Sequence, residues 1–346
     1  MILLKKIFGT AFIFILSLLL FFVFTQKTNA LTVSPPTIEV IAAPGQTASG
    51  EFVLYNEEPT AKIFYSSFEK FEASGETGAP NFTPSDEDLP TWIKTSAKVE
   101  LKSGEKKKVN FEINVPADAT PGGHFAAIFW SATPSDSEGV NAVSVGAKVG
   151  ILVLLKVAGL TEEAAGIIEF STLGAKNFYT ARPVEFFYRF QNSGNDRVKP
   201  FGQISIKNIT GIVKTVINAN SAEGNVLPQS IRKFETSWPG SRLVAIDKEA
   251  NFFKRYWQNV RNEWFNFGLG RYNAALELSY GEGQSKTDAN YIFWIIPWHL
   301  LILVLILAFI IIFFGIKEVR AYNHWLINRA LSQFKKRSGA HKKIKK

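Results

Sequence analysis

Cysteine is absent from the 346 residues and histidine occurs only four times, so chemistry that depends on these side chains is largely excluded. Without cysteine the chain has no disulfides, no thiolate metal ligands and no thiol nucleophile. His124 is the one histidine in the body of the sequence; His299, His324 and His341 lie toward the C-terminus. No His-x-x-x-His, Gly-x-Ser-x-Gly or phosphate-loop pattern occurs. We therefore predict that the protein is not an enzyme, and we expect neither a cofactor nor a metal site.

The net charge of +9 is concentrated at the two ends of the chain. Residues 317–346 hold ten Lys/Arg and one Glu, and residues 1–30 hold three lysines, so the sequence between them is mildly acidic. A nucleic-acid-binding domain carries its basic side chains on the folded body, so we expect no nucleic-acid partner. Basic residues beside a membrane segment contact anionic lipid head groups instead, which makes membrane lipid the expected partner of the tail.

The N-terminus has the organisation of a secretory signal. Lys5 and Lys6 precede an apolar run over residues 7–24, and Thr28 and Ala30 place small side chains where signal peptidase reads the chain. The sequence therefore predicts a signal peptide over residues 1–30. The apolar run is longer than usual, so an uncleaved anchor with the same orientation is the alternative.

A second apolar segment, residues 291–316, contains no Lys, Arg, Asp or Glu and exceeds the ~20 residues needed to cross a bilayer core. Three aromatic residues stand at its start, as at membrane interfaces: Tyr291, Trp294 and Trp298. The basic tail 317–346 follows, and positive residues stay in the cytoplasm. The sequence predicts a single-pass protein of the cell membrane, with residues 31–290 outside and the tail inside.

Between the two apolar segments, apolar and polar residues alternate with a period of two, which is typical of half-buried strands. Val109, Phe111 and Ile113 show this pattern, and turn residues recur at spacings of about ten residues, as in β-sandwiches. We predict an all-β fold of two immunoglobulin-like β-sandwich domains, over 31–159 and 160–290. The acidic loop 72–91 is predicted to be mobile. Strands are predicted over 31–41, 47–56, 62–71, 92–101, 106–115, 124–132, 143–158, 166–172, 183–192, 199–208, 212–218, 230–238, 270–280 and 286–291.

One segment of the second domain is helical in pattern. Over residues 247–268, apolar side chains recur three or four residues apart, which predicts an amphipathic helix; they are Phe253, Trp257, Val260, Trp264 and Phe267. We favour packing of this stripe on the open edge of the second sandwich. The alternative is a helix lying on lipid head groups, with Trp257 and Trp264 at the interface.

Six segments of the first predicted domain carry a resemblance to a known family. They are Leu31–Glu39, Pro44-Gly45, Pro90–Ile93, Leu101–Glu105, Phe111–Pro116 and Pro121–Ile128. With these segments the domain resembles the peptidoglycan-binding domain of the WxL-interacting protein family of bacterial surface proteins. The overall plan is also similar: signal, two immunoglobulin-like domains, one membrane helix and a short basic tail. The resemblance implies that the first domain binds the cell wall and that the second contacts proteins, without assigning individual binding residues.

Two paired sandwiches with a proline-bearing first strand are also similar to pilus-assembly chaperones, although those are soluble. The leading hypothesis is a non-catalytic binding or scaffolding module on the bacterial cell surface, for peptidoglycan or another cell-wall glycan, or for surface proteins. The alternative is a membrane-tethered, chaperone-like assembly factor that works by exchange of a β-strand at a sandwich edge.

Three side chains of the first domain are ligand-binding candidates: Trp92, Trp130 and His124. The tryptophans could stack on sugar rings, although packing in the core or at an edge is the expected role. His124 follows two glycines, so a solvated turn histidine is the favoured interpretation. The acidic run Asp86–Asp88 lacks the alternating oxygen pattern of a calcium loop and is interpreted as solvated.

Overall fold

The structure, a computed structural model, describes residues 30–134, 147–242 and 244–343. Residues 1–29 of the predicted signal peptide lie outside this described part of the chain. The chain divides into two compact units. The first unit runs to Ala164 and includes the short segments Asn192–Arg197 and Leu227–Ser230, and the second unit contains the rest. The division falls close to the predicted boundary between 159 and 160.

The first unit is built from two sheets that enclose an apolar core. The elements are β1 (Leu31–Ser34), β2 (Thr37–Ala42), β3 (Thr47–Asn56), β4 (Lys62–Ser74), β5 (Ala79–Thr83), α1 (Leu89–Trp92), β6 (Ile93–Thr95), β7 (Lys98–Leu101), β8 (Lys106–Asn114), β9 (Gly122–Ser131) and β10 (Lys148–Val157). The strand orders of the two sheets are β1-β3-β8-β6 and β2-β10-β9-β4-β5, and β7 also pairs with β4. The core forms because alternate residues point inward, as Val109, Phe111 and Ile113 do on β8, all three of them buried.

The second unit also has two sheets. Its elements are β11 (Ala165–Thr172), β12 (Phe178–Tyr179), β13 (Val184–Asn192), β14 (Phe201–Asn208), β15 (Val213–Asn218), β16 (Ser230–Trp238), α2 (Phe252–Phe265), β17 (Gly270–Tyr280), β18 (Ser285–Ile295) and α3 (Trp298–Lys343). The strand orders are β11-β13-β16 and β12-β18-β17-β14-β15. The core of this unit is rich in aromatic rings, among them Phe186, Tyr188 and Phe293. The predicted all-β, immunoglobulin-like class is thereby confirmed.

Some predicted boundaries were wrong. The segment 31–41 is two strands, because Pro35 and Pro36 lie between β1 and β2 and have no N–H to continue a ladder. The chain changes sheet at this point, and β2 pairs in parallel with β10. The segment 92–101 is likewise split into β6 and β7, and the predicted loop 72–91 contains strand β5 and all but the last residue of helix α1.

The last strand and the last helix also differ from prediction. Strand β18 runs to Ile295, so Tyr291 and Trp294 belong to the sandwich, and the helix begins at Trp298 rather than at residue 291. Within α3, residues Trp298–Arg329 are long and apolar enough to cross a membrane, and little of that segment is buried. Length and composition thus agree with the predicted membrane span, although its start moves toward the C-terminus.

The core of the first unit gives a direct test of the predicted strand face. Phe111 is 2% exposed, and its ring lies so close to Gly50 on β3 that a Cβ there would be 2.6 Å from the ring. Phe111→Ala in the fragment 31–296 should lower the free energy of unfolding by about 3–5 kcal/mol, because the cavity cannot close fully.

The matched control is Glu112→Ala, on the exposed face of the same strand, which should change the free energy of unfolding by less than about 0.5 kcal/mol. Chemical denaturation measures both values. A loss below about 1 kcal/mol for Phe111→Ala would contradict the buried placement of this ring.

Candidate functional site

Trp130 is a core residue, which corrects its assignment as a ligand-binding candidate. It is 0% exposed and its ring centroid lies 6.1 Å from that of Phe52 on the opposite sheet. Strand β9 is buried along almost its whole length, so the side chain has no exposed face. Neither side of this ring can stack on a sugar in this conformation.

Trp92 and His124, by contrast, lie together. Trp92 ends helix α1, His124 lies on β9, and their ring centroids are 4.8 Å apart. His124 is 8% exposed, so the prediction of a solvated turn histidine was wrong. Its Nδ1 lies 2.5 Å from Oδ1 of Asp88, and its Nε2 lies 2.9 Å from the Thr120 carbonyl oxygen. Because both partner oxygens accept hydrogen bonds, both ring nitrogens are engaged as donors and neither is free to bind a metal or to act as a base.

Asp88 is held in an unusual conformation that serves this pair. Its φ of 64° is rarely adopted by residues with a side chain, and its carboxylate does not cap α1. Burial alone would raise the pKa of Asp88, but the hydrogen bond and charge of His124, together with the Leu89 backbone N–H and the charge of Lys70, outweigh burial and lower this pKa. Burial alone would lower the pKa of His124, yet the hydrogen bonds to Asp88 and Thr120 outweigh it and raise this pKa. The pair is therefore an ion pair that joins α1 to β9.

The outer face of the five-stranded sheet in the second unit forms a shallow polar trough, with a volume of about 580 Å³. At its centre lies the small side chain of Ala275 on β17, which is paired with Ser205 on β14 and with Asn290 on β18. Larger polar side chains lie in the rows on either side of Ala275. They are Gln203, Glu277 and Asp288 on one side, and Lys207 and Asn273 on the other.

The trough follows from the alternation of the three strands. Inward residues such as Ile204, Ala274 and Leu276 fill the core, so the residues between them must face outward. Gly202 lets β14 approach β17, since a Cβ there would lie 2.0 Å from the Glu277 carbonyl oxygen. Two amines, two carboxylates and several amides therefore line one surface, with a local charge near zero. The carboxamide oxygen of Asn273 has no hydrogen-bond partner among the described residues.

The predicted membrane-interface aromatics fall into two groups. Trp294 on β18 is 37% exposed and stacks on Phe178, and Trp298 at the start of α3 is 47% exposed. Trp257 and Trp264 on α2 are 56% and 68% exposed. The favoured interpretation of α2, an apolar stripe packed on the sheet edge, was therefore wrong.

Comparison with known proteins gives similarity of fold. No protein-family model and no curated protein matches the chain. Among solved structures, the class 5 fimbriae chaperone CfaA is 12% identical with a TM-score of 0.37, covering 76% of this chain and 99% of its own. The E. coli chaperone DraB is 8% identical with a TM-score of 0.34, covering 75% and 98%. The Salmonella enterica SafA pilin–SafB chaperone complex is 8% identical with a TM-score of 0.33, covering 78% and 99%. At these sequence identities and TM-scores, the similarity does not indicate what this chain binds.

The Asp88–His124 pair predicts a pH-dependent stability. Because the pKa of His124 is raised in the folded protein, His124 stabilises the fold fully below about pH 6.5, the ordinary histidine pKa. This stabilisation is lost as the pH rises through the pKa of His124 in the folded protein. Because the pKa of Asp88 is lowered, Asp88 stabilises the fold fully above about pH 4, and this stabilisation is lost on acidification. Asp88→Asn should therefore destabilise the first unit most at about pH 5–6 and progressively less toward about pH 9.

Denaturation of the fragment 31–296 at several pH values measures this difference. Asp86→Asn in the same loop is the matched control, because Asp86 is exposed. A destabilisation by Asp88→Asn that stays constant or grows between about pH 6 and 9 would contradict the ion pair.

Proposed function

We propose that the chain is a single-pass membrane protein of the bacterial cell surface, whose sandwich body is a non-catalytic module that binds cell-wall glycan. The membrane part is supported by the apolar segment Trp298–Arg329 of α3. The basic tail that follows supports the orientation, since positive residues stay on the cytoplasmic side. The body then faces the cell wall.

The polar trough is the observation that carries glycan binding. A glycan is rich in hydroxyl groups, which donate to carboxylates and accept from amides and ammonium groups. The trough presents all three types on one open surface: Glu277 and Asp288, Gln203 and Asn290, and Lys207 and Lys286. Strand geometry makes it about 10 Å wide across three strands and about 14 Å long, which suits a short stretch of an extended chain.

The geometry favours binding rather than cleavage. Glu277 and Asp288 face each other on paired strands, and both are exposed to solvent. The acid of a glycosidase is set in a desolvated position that keeps it protonated. An open sheet face does not provide this environment for either carboxylate. The proposed role is therefore attachment without hydrolysis.

The resemblance to the WxL-interacting family implies glycan binding by the first domain, and our proposal places it on the second. In the first unit, Trp130 is buried and both ring nitrogens of His124 are engaged. Trp92 is half-buried against His124. These candidates offer a ligand less hydrogen-bonding surface than the trough does.

A second candidate function is strand addition at β15, the edge of the five-stranded sheet. Val213 and Val216 on this strand are 49% and 51% exposed, and Ile212 just before it is 58% exposed. Lys214 is the one charged residue of the strand. Edge strands are normally protected by charges, so this edge is suited to pairing with a strand of another protein.

Retention on purified peptidoglycan tests the glycan proposal. The fragment 31–296 should be retained, and Gln203→Ala with Asn290→Ala should weaken retention about tenfold or more, because two hydrogen bonds of about 1 kcal/mol each are lost. Both side chains are exposed, so the fold should be preserved. No sugar should be released during incubation.

The matched control is Gln191→Ala with Asn110→Ala, which removes exposed amides from other strands. Equal retention of the two double variants, or no retention of the unaltered fragment, would overturn the proposal. Capture of a surface protein that is abolished by Val216→Lys, without glycan retention, would establish strand addition instead.

The orientation is tested by cysteine labelling, which is clean because the chain has no cysteine. Ser103→Cys, in an exposed turn of the first unit, should react with an impermeant maleimide in intact cells. Ser338→Cys, in the basic tail, should react only after permeabilisation. The reverse pattern would contradict the orientation drawn from the charges.

A further inference from the structure

Helix α2 is fastened to the beginning of α3 by a polar contact. Glu263 of α2 is 0% exposed, and its two carboxylate oxygens accept hydrogen bonds from α3. Nδ1 of His299 lies 2.6 Å from one oxygen, and the backbone N–H of Leu300 donates to the other at 2.8 Å. The second bond satisfies one of the backbone N–H groups that have no partner within the first turn of a helix.

Two more side chains of α2 complete this contact. The Tyr256 hydroxyl donates to the His299 carbonyl oxygen at 2.9 Å, and the Asn259 amide lies 3.1 Å from Nε2 of His299. Tyr256, Asn259 and Glu263 are spaced by three and four residues, so they lie on one face of α2. We call this set, with His299 and Leu300, the polar clamp. Because it engages the first turn of α3, it fixes α2 at the level where the apolar segment begins.

A different face of α2 is apolar and exposed. Phe253, Trp257 and Trp264 lie close together around the helix, about a quarter-turn away from the clamp residues. They are 75%, 56% and 68% exposed, respectively. We call these three residues the aromatic stripe. The described part of the chain does not cover this stripe, although it lies beside the start of a membrane-spanning segment.

The exposed charges of α2 are basic. Glu263 is buried in the clamp, which leaves Lys254, Arg255 and Arg261 as the charged side chains on its surface. Lys254 lies 3.3 Å from Asp247, outside the helix, and Arg261 lies over the ring of Phe265. Lys254 and Arg261 flank the stripe on the side away from the clamp. An aromatic face bordered by basic residues is the composition of helices that lie in a membrane interface.

We propose that α2 lies in the head-group layer of the same bilayer that α3 crosses, on the side of the sandwich body. The aromatic stripe enters the boundary with the acyl chains, and Lys254 and Arg261 face the lipid phosphates. The polar clamp holds the helix at this depth. The inference rests on the membrane anchoring in the proposed function, but it is independent of what the trough binds.

Spin labels on single cysteines in the full chain test this placement in vesicles of phosphatidylcholine and anionic phosphatidylglycerol. Labels at Phe253→Cys and Trp257→Cys should collide with oxygen, which is concentrated in the bilayer, and be shielded from a water-soluble nickel complex. Their oxygen-to-nickel accessibility ratio should be severalfold higher than that of Arg255→Cys, an exposed site on the far side of the same helix.

A label at Leu305→Cys, within the apolar segment, separates failure of the inference from failure of the anchor. If Leu305→Cys is in the bilayer while the stripe labels match Arg255→Cys, the inference fails and the anchor stands. If stripe labels are shielded from both reagents, protein covers the stripe and the inference also fails. If Leu305→Cys is exposed to nickel, the anchor and the inference fail together.

The role of the clamp is tested with the label at Trp257→Cys. Glu263→Ala should lower its accessibility ratio toward that of Arg255→Cys, because α2 is released from α3. Glu249→Ala, at an exposed acidic residue just before the helix, should leave the ratio unchanged. Equal ratios in the two variants would show that the clamp does not set the depth of α2.

Discussion

Inward burial of every second side chain is the constraint on which the described body of this protein depends. The chain contains no cysteine, so the sandwiches have no disulfide and must be stabilised mainly by apolar burial. In the first unit this burial unites Phe52, Phe111 and Trp130, and in the second it unites Phe186, Tyr188 and Phe293. The same alternation decides which side chains remain outside. The polar trough is therefore the necessary counterpart of a core that takes Ile204, Ala274 and Leu276 inward.

Alternation is local, and most strands could accordingly be predicted from the sequence. Strand β8 was expected over 106–115 and spans Lys106–Asn114, and β17 was expected over 270–280 and spans those residues. What could not be predicted depends on partners that are distant in sequence. Asp88 and His124 are 36 residues apart, and no local pattern connects them. The trough likewise needs the register that sets Ser205 beside Ala275, which the pattern within one strand does not contain.

The tryptophans also show that a local sequence pattern does not predict the surroundings of a side chain, because they occupy several different environments in this protein. Trp130 is enclosed, Trp92 packs on a histidine, and Trp257 and Trp264 are exposed. The helical spacing of the last two predicted an amphipathic helix, and the helix is present as Phe252–Phe265. The exposure of the aromatic residues on this helix could not be predicted, because Glu263, a charged residue, is buried in their place. A carboxylate that accepts two hydrogen bonds can be buried where a hydrophobic side chain would be expected.

The path of the chain connects the trough to the apolar helix α3. Strand β18 forms one side of the trough through Asp288 and Asn290, and it leads through Ile296 and Pro297 directly into α3. It is paired with β17 in continuous antiparallel register from Gly270↔Ile295 to Tyr280↔Ser285. In the proposed function, a force between a ligand in the trough and α3 would run along β18, so it would load these backbone hydrogen bonds together rather than one after another. The strand that connects the sandwich to α3 is thus paired along its whole length, which suits the proposed role in attachment.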